Sequence, residues 1–213
     1  MEFITKDLSD YCENNTSSET DILAQLNRET HLKVVSPRML SGHLQGRFLS
    51  FISKLKQPKL IVEIGTYTGY SALCLAEGLA ENGKLISIDV NEETSAFAKS
   101  FIQKTEYASK IELVLADAKE FIPTIKDSID LVFIDADKKN YLNYYHLVID
   151  KLNKGGLIIA DNVLWSGKIT MPEKDMDKET LALHQFNKFV QQDNRVENLL
   201  LPIRDGLMVV RKK

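Results

Sequence analysis

Between residues 60 and 161 the chain repeats one pattern five times: a short, nearly unbroken run of Ile, Leu and Val, then a longer mixed segment. The runs occupy residues 60–64, 85–89, 111–115, 131–135 and 157–161. Roughly 15–25 residues separate them, enough for a crossover helix each time. Runs without polar alternation predict strands buried on both faces, as in a parallel sheet. A βαβ series of this kind leaves few solutions besides an open α/β sheet covered by helices.

The flanks differ. Residues 1–57 read as helical. Thr16-Ser17-Ser18-Glu19 has the form of a capping box, with Ile22, Leu23 and Leu26 following at helical spacing. Ser36-Pro37 offers a second helix start. Leu40, Leu44, Phe48, Phe51 and Leu55 then predict one buried face, up to Pro58. At the other end, residues 196–201 and 207–211 flank Pro202-Ile203-Arg204-Asp205-Gly206. Asp-Gly between two apolar runs predicts an antiparallel hairpin at one edge of the sheet. The expectation is one domain over residues 1–213, with N-terminal helices over 1–57 and the α/β core over 58–213.

Composition narrows the function. The net charge is −3, so no broad basic surface advertises nucleic acid. No apolar run reaches ~18 residues and the start lacks a signal peptide's pattern. Two cysteines, Cys12 and Cys74, form no disulfide framework. The cytoplasm is the expected compartment.

The runs end in, or lead to, acids: Glu63, Asp89, Asp117, Asp135 and Asp161. Open α/β sheets bind ligands at the carboxyl ends of their strands. The first turn, Glu63-Ile64-Gly65-Thr66-Tyr67-Thr68-Gly69-Tyr70-Ser71, is neither a dinucleotide fingerprint nor a P-loop. That spacing weighs against a nicotinamide dehydrogenase. Glu63 repels phosphate and attracts an ammonium, while Asp89 stands where a carboxylate takes ribose hydroxyls. Ribose plus ammonium without phosphate describes S-adenosylmethionine. Asp135, Asp161 and Asn162 supply hard oxygen donors suited to Mg²⁺, with no Cys or His to favour zinc.

With these motifs in order, the chain resembles the cation-dependent O-methyltransferases of the caffeoyl-CoA and catechol type. Residues 63–71, 135–141, 161–167 and 201–206 carry the resemblance, and Met39-Leu40-Ser41-Gly42 is similar to the family's N-terminal cofactor-contact segment. The resemblance implies a Rossmann-like, seven-stranded, mostly parallel sheet and a homodimer. It implies that Ser41, Glu63, Gly65, Thr66, Ser71, Asp89, Ala118 and Asp137 hold S-adenosylmethionine. It implies a divalent cation on Asp135, Asp161 and Asn162, Lys138 as general base, and Met39 and Trp165 bordering an aromatic diol. As a base, Lys138 needs a lowered pKa. Ser166 stands where plant caffeoyl-CoA enzymes tend to carry Asn, a departure that weighs against an acyl-CoA acceptor.

Two alternatives stand beside this reading. One is methylation of a hydroxylated tRNA base, with Lys33, Arg38, Arg47 and Lys168 as a basic patch. The other is a cofactor-binding scaffold without turnover. Residues 171–177 are a candidate flap over the acceptor, or a plain loop.

Overall fold

The computed structural model describes residues 4–213. It divides into two compact units: Lys6–Asp117, and Ala118–Lys213 together with residues 4 and 5. All five apolar runs are strands, and the hairpin adds two more, so the sheet is seven-stranded. It is mostly parallel with antiparallel C-terminal strands, as the patterning predicts.

The first unit contains α1 (Lys6–Asn14), α2 (Asp21–Lys33), a 3₁₀ turn (Pro37–Met39) and α3 (Gly42–Lys56). Then come β1 (Leu60–Ile64), α4 (Tyr70–Ala76), β2 (Lys84–Asp89), α5 (Glu92–Ile102) and β3 (Ile111–Leu115). Its strands run β3-β2-β1, all parallel. Every residue of β1 is buried, which is why its sequence shows no alternation. Asn91 caps α5 by accepting from the Thr94 amide at 3.1 Å.

The helical N-terminus corrects three expectations. The start expected at Thr16 falls at Asp21, with Thr20 as N-cap and no side-chain cap bond. Thr16 instead donates its hydroxyl to the Cys12 carbonyl at 2.7 Å, closing the end of α1. Ser36-Pro37 opens only the 3₁₀ turn, because Ser36 is left-handed and its side chain caps nothing.

The third correction concerns the buried face of α3. Phe51 and Leu55 are 62% and 70% exposed. The buried residues are Gln45, Gly46, Leu49, Ser50 and Ser53. Close helix approach explains the reversal. A Cβ on Gly46 would lie 2.6 Å from Tyr70 Cε1 of α4, and one on Gly78 would lie 2.1 Å from the Ser53 carbonyl carbon. Small residues are required at these two points of closest approach, and several polar groups around them are paired. Ser53 donates to the Leu75 carbonyl at 2.6 Å. Glu77 accepts from Arg47 at 2.8 and 3.0 Å, from Ser50 at 2.7 Å and from Lys54 at 2.9 Å.

The second unit contains α6 (Ala118–Phe121), β4 (Ile129–Ile134), α7 (Tyr141–Ile149), β5 (Leu152–Ala160), α8 (Lys178–Gln192), β6 (Val196–Leu201) and β7 (Leu207–Lys212). Its strands run β4-β5-β7-β6. β4 and β5 are parallel, with Ile134 opposite Ala160. β7 runs antiparallel to both neighbours, and Leu201 faces Leu207 across the turn. The edge strand is therefore β6, and β7 is internal. Among the described residues no helix is long and apolar enough to cross a membrane.

Candidate active site

The candidate residues fall into two groups, one in each unit.

In the first unit the parallel register of β1 and β2 sets Glu63 beside Ser87. Glu63 is fully buried. Its Oε1 accepts from the Ser71 hydroxyl at 2.5 Å, and its Oε2 accepts from Ser87. The Thr66 and Ser87 hydroxyls share a 2.6 Å bond. A buried carboxylate needs such donors, since burial without them is strongly unfavourable.

The turn after β1 is built by backbone conformation. Gly65, Tyr67 and Gly69 have φ of 99°, 47° and 84°. At Gly69 a Cβ would press to 3.0 Å from Ala98 Cβ, so the turn lies hard against α5 and requires glycine. Asp89 holds the turn from the end of β2: its Oδ2 accepts from the Thr66 and Tyr67 amides, both at 2.9 Å. Its Oδ1 accepts from Asn91 at 2.9 Å. A carboxylate offers about four acceptor sites, so about one is left for a ligand.

The turn also grips the N-terminal segment. The Tyr67 hydroxyl reaches the carbonyls of Val35 and Ser36 at 3.1 and 3.2 Å. Those carbonyls precede the 3₁₀ turn that carries Met39, which is 57% exposed. Ser41 is buried at the start of α3.

In the second unit Ala118 opens α6 and is buried. Ile134 and Ala160 are level across β4 and β5, and the Asp161 amide donates to the Ile134 carbonyl at 2.9 Å. Asp135 and Asp161 therefore leave the sheet side by side, at about one strand spacing. Asn162 is left-handed, with φ 59°.

Lys138 Nζ donates to Asp135 Oδ1 at 2.9 Å and to the Tyr141 hydroxyl at 2.8 Å. Tyr141 is fully buried, and its hydroxyl donates onward to the Asp161 carbonyl at 2.9 Å. Burial of Lys138 favours the neutral amine, but the Tyr141 hydroxyl and the Asp135 carboxylate outweigh it and push the pKa up. The lowered pKa expected of a base is therefore not what this arrangement produces. The reason is that Nζ is held by both partners, the Tyr141 hydroxyl and the Asp135 carboxylate.

Asp137 accepts from Asn140 and from the Tyr144 hydroxyl, which fixes the helix entrance. Trp165 lies with its ring centroid 5.9 Å from Lys138 Nζ. Its indole N–H is buried without a partner among the described residues.

Asp135, Asp161 and Asn162 fit a hard divalent cation by donor chemistry. All three present oxygen, and Asp135 keeps Oδ2 outside its bond with Lys138. The set has only two carboxylates, and among the described residues no three of His, Cys, Asp and Glu gather as a metal site. An Mg²⁺ ion that retains several waters tolerates so few protein ligands.

Four partners escape motif reading. The strand register of the fold puts Ser87 opposite Glu63. Tyr67, Tyr141 and Asp205 lie inside the motif segments, which gave them no role. Of the four cations offered for the tRNA alternative, Lys33 pairs with Glu29, Arg47 with Glu77 and Lys168 with Asp177. The candidate flap is tied at Glu173 to His184 and Lys188, and Asp177 caps α8 through Thr180 at 2.8 Å.

A family model described as O-methyltransferase matches residues 13–213. The caffeoyl-CoA O-methyltransferase of Stellaria longipes is 31% identical over 204 residues, which cover 91% of this chain and 84% of that relative. Caffeoyl-CoA O-methyltransferase 1 of Arabidopsis thaliana is 37% identical over 179 residues, or 79% and 69%. The crystal structure of an SAH-bound methyltransferase of Podospora anserina aligns with TM-score 0.89 at 28% identity, over 97% of this chain and 94% of that one. Matched over nearly its whole length in sequence and fold, the chain belongs to the family of S-adenosylmethionine-dependent O-methyltransferases.

Proposed function

We propose that the protein is a single-domain, cation-dependent enzyme that methylates one hydroxyl of a vicinal aromatic diol, with S-adenosylmethionine as donor. The observation that carries the reading is the cluster at the carboxyl ends of β4 and β5: Asp135 and Asp161 side by side, Asn162 next in the chain, and Lys138 bonded to Asp135. In the first unit the candidates for the donor's methionine and ribose ends are Ser41, Glu63, Gly65, Thr66, Ser71 and Asp89; the second unit's own donor candidates are Ala118 and Asp137.

A divalent cation on Asp135, Asp161 and Asn162 would supply a Lewis acid that acidifies a phenolic hydroxyl. Lys138 can take that proton at Nζ only as the neutral amine, so it must first release its own proton and leave the ion pair with Asp135; a cation on Asp135 would favour both by lowering the amine's pKa. Tyr141 keeps Nζ in place through the exchange, because its 2.8 Å bond does not involve the carboxylate. The phenolate oxygen then bonds to the methyl carbon as the sulfur–carbon bond breaks, leaving a neutral thioether. Trp165 offers a flat wall to the ring. Positioning supplies most of the rate, since the donor is already activated.

The exposed face of α3, with Phe51 and Leu55, supports a homodimer interface. We place this enzyme of small molecules in the cytoplasm. The test is methyl transfer from labelled S-adenosylmethionine to caffeic acid, with Mg²⁺ and with EDTA. Product that vanishes in EDTA and in Asp135→Ala supports the reading. Turnover unchanged in EDTA sinks the metal role.

A further inference from the structure

The loop at residues 162–167 is held in an unfavourable backbone conformation. Asn162, Trp165 and Ser166 are left-handed non-glycine residues, at φ 59°, 46° and 54°, and Gly167 follows at 80°. Such conformations persist only where the surroundings impose them. Here they are imposed largely by the turn between β6 and β7. The Leu164 amide donates to the Asp205 carbonyl at 2.9 Å, and the Val163 amide donates to the Gly206 carbonyl at 3.1 Å. The Ser166 amide donates to Asp205 Oδ1. Gly206 is itself left-handed, and a Cβ there would stand 2.4 Å from Leu164 Cγ. From α8, Asn187 Nδ2 donates to the Val163 carbonyl at 2.8 Å.

Asp205 grips the loop with both backbone and side chain. Its carboxylate bond lands between the two left-handed residues Trp165 and Ser166. We propose that Asp205 is a positioning residue: its carboxylate holds the 162–167 loop in its left-handed course and thereby sets the Trp165 ring for the acceptor. The second half rests on the reading of Trp165 as the acceptor's wall; the first does not.

Trp165 is the chain's single tryptophan, so its fluorescence reports on the loop without any turnover. The experiment compares the full-length protein with Asp205→Ala and Asp205→Asn, by emission and acrylamide quenching. Asp205→Ala should shift emission to the red and raise the quenching constant about twofold, because the loop relaxes. Asp205→Asn keeps an acceptor oxygen for the Ser166 amide and should match the parent. Should the alanine variant not fold, Asp205→Ser carries the same expectation, its hydroxyl being too short to reach that amide. Unaltered Trp165 emission and quenching in Asp205→Ala, or equal change in Asp205→Asn, overturns the positioning role. Kinetics then judge the reading beneath it. With Trp165 displaced, the acceptor KM should rise about tenfold, the scale of one lost hydrogen bond, while donor binding by calorimetry stays unchanged. Displaced fluorescence with unchanged acceptor kinetics would leave Asp205 in its role and remove Trp165 from the acceptor site.

Discussion

Replacing Glu77 by Gln probes the polar interface between α3 and α4 most directly. The Glu77 side chain is 8% exposed and Arg47 is 11% exposed. Burial would raise the Glu77 pKa, but hydrogen bonds from Arg47, Lys54 and Ser50 win and lower it from 4.5 to about 2. That difference corresponds to about 3 kcal/mol of stability at pH 7. Breaking a buried pair from one side costs about 3–5 kcal/mol, an independent route to the same size. For a chain of this length the loss lowers Tm by roughly 6–12 °C. The sign with pH follows from the depressed folded-state pKa. The stabilisation is complete above about 4.5 and is lost as pH falls through about 2. Urea unfolding of both proteins should show a gap of about 3 kcal/mol at pH 7 and about half of it near pH 3. A gap under about 1 kcal/mol, or one that does not shrink in acid, would refute the argument.

Other outcomes follow from the same contacts. Gly46→Ala drives a Cβ to 2.6 Å from the Tyr70 ring and should destabilise by about 1–3 kcal/mol in urea. Tyr141→Phe removes the bond to Lys138 and the donor to the Asp161 carbonyl; steady-state kinetics should show kcat reduced about tenfold, with donor KM unchanged. Phe51→Glu with Leu55→Glu should yield a monomer by sedimentation with the parent's far-UV circular dichroism, because both side chains are exposed on the single chain.

The sheet was legible because burial on both faces leaves a composition signature that needs no partner to be recognised. Residues 60–64 and 111–115 are strands to the residue, and the Asp-Gly turn joins β6 to β7. The candidate acids stood out for a related reason: strand ends and turns are local, so acids there contrast with the apolar runs. The α3 face was not legible, since Leu44, Phe48, Phe51 and Leu55 satisfy every local rule for a buried stripe. Which face a helix buries depends on how closely its neighbour approaches, and Gly46 and Gly78 decide that only when α4 and the Gly78 turn are in place.

The sequence by itself determined the strands, the acids at their carboxyl ends and the glycine turn, because each follows from short-range periodicity or backbone sterics. Tertiary structure alone decided who holds those groups. Ser87 reaches Glu63 through strand register, Tyr141 joins Lys138 to the Asp161 carbonyl, and Asp205 grips a loop 39 positions away. Hydrogen bonds between residues far apart in the chain leave no periodic trace, so only the folded geometry reveals them.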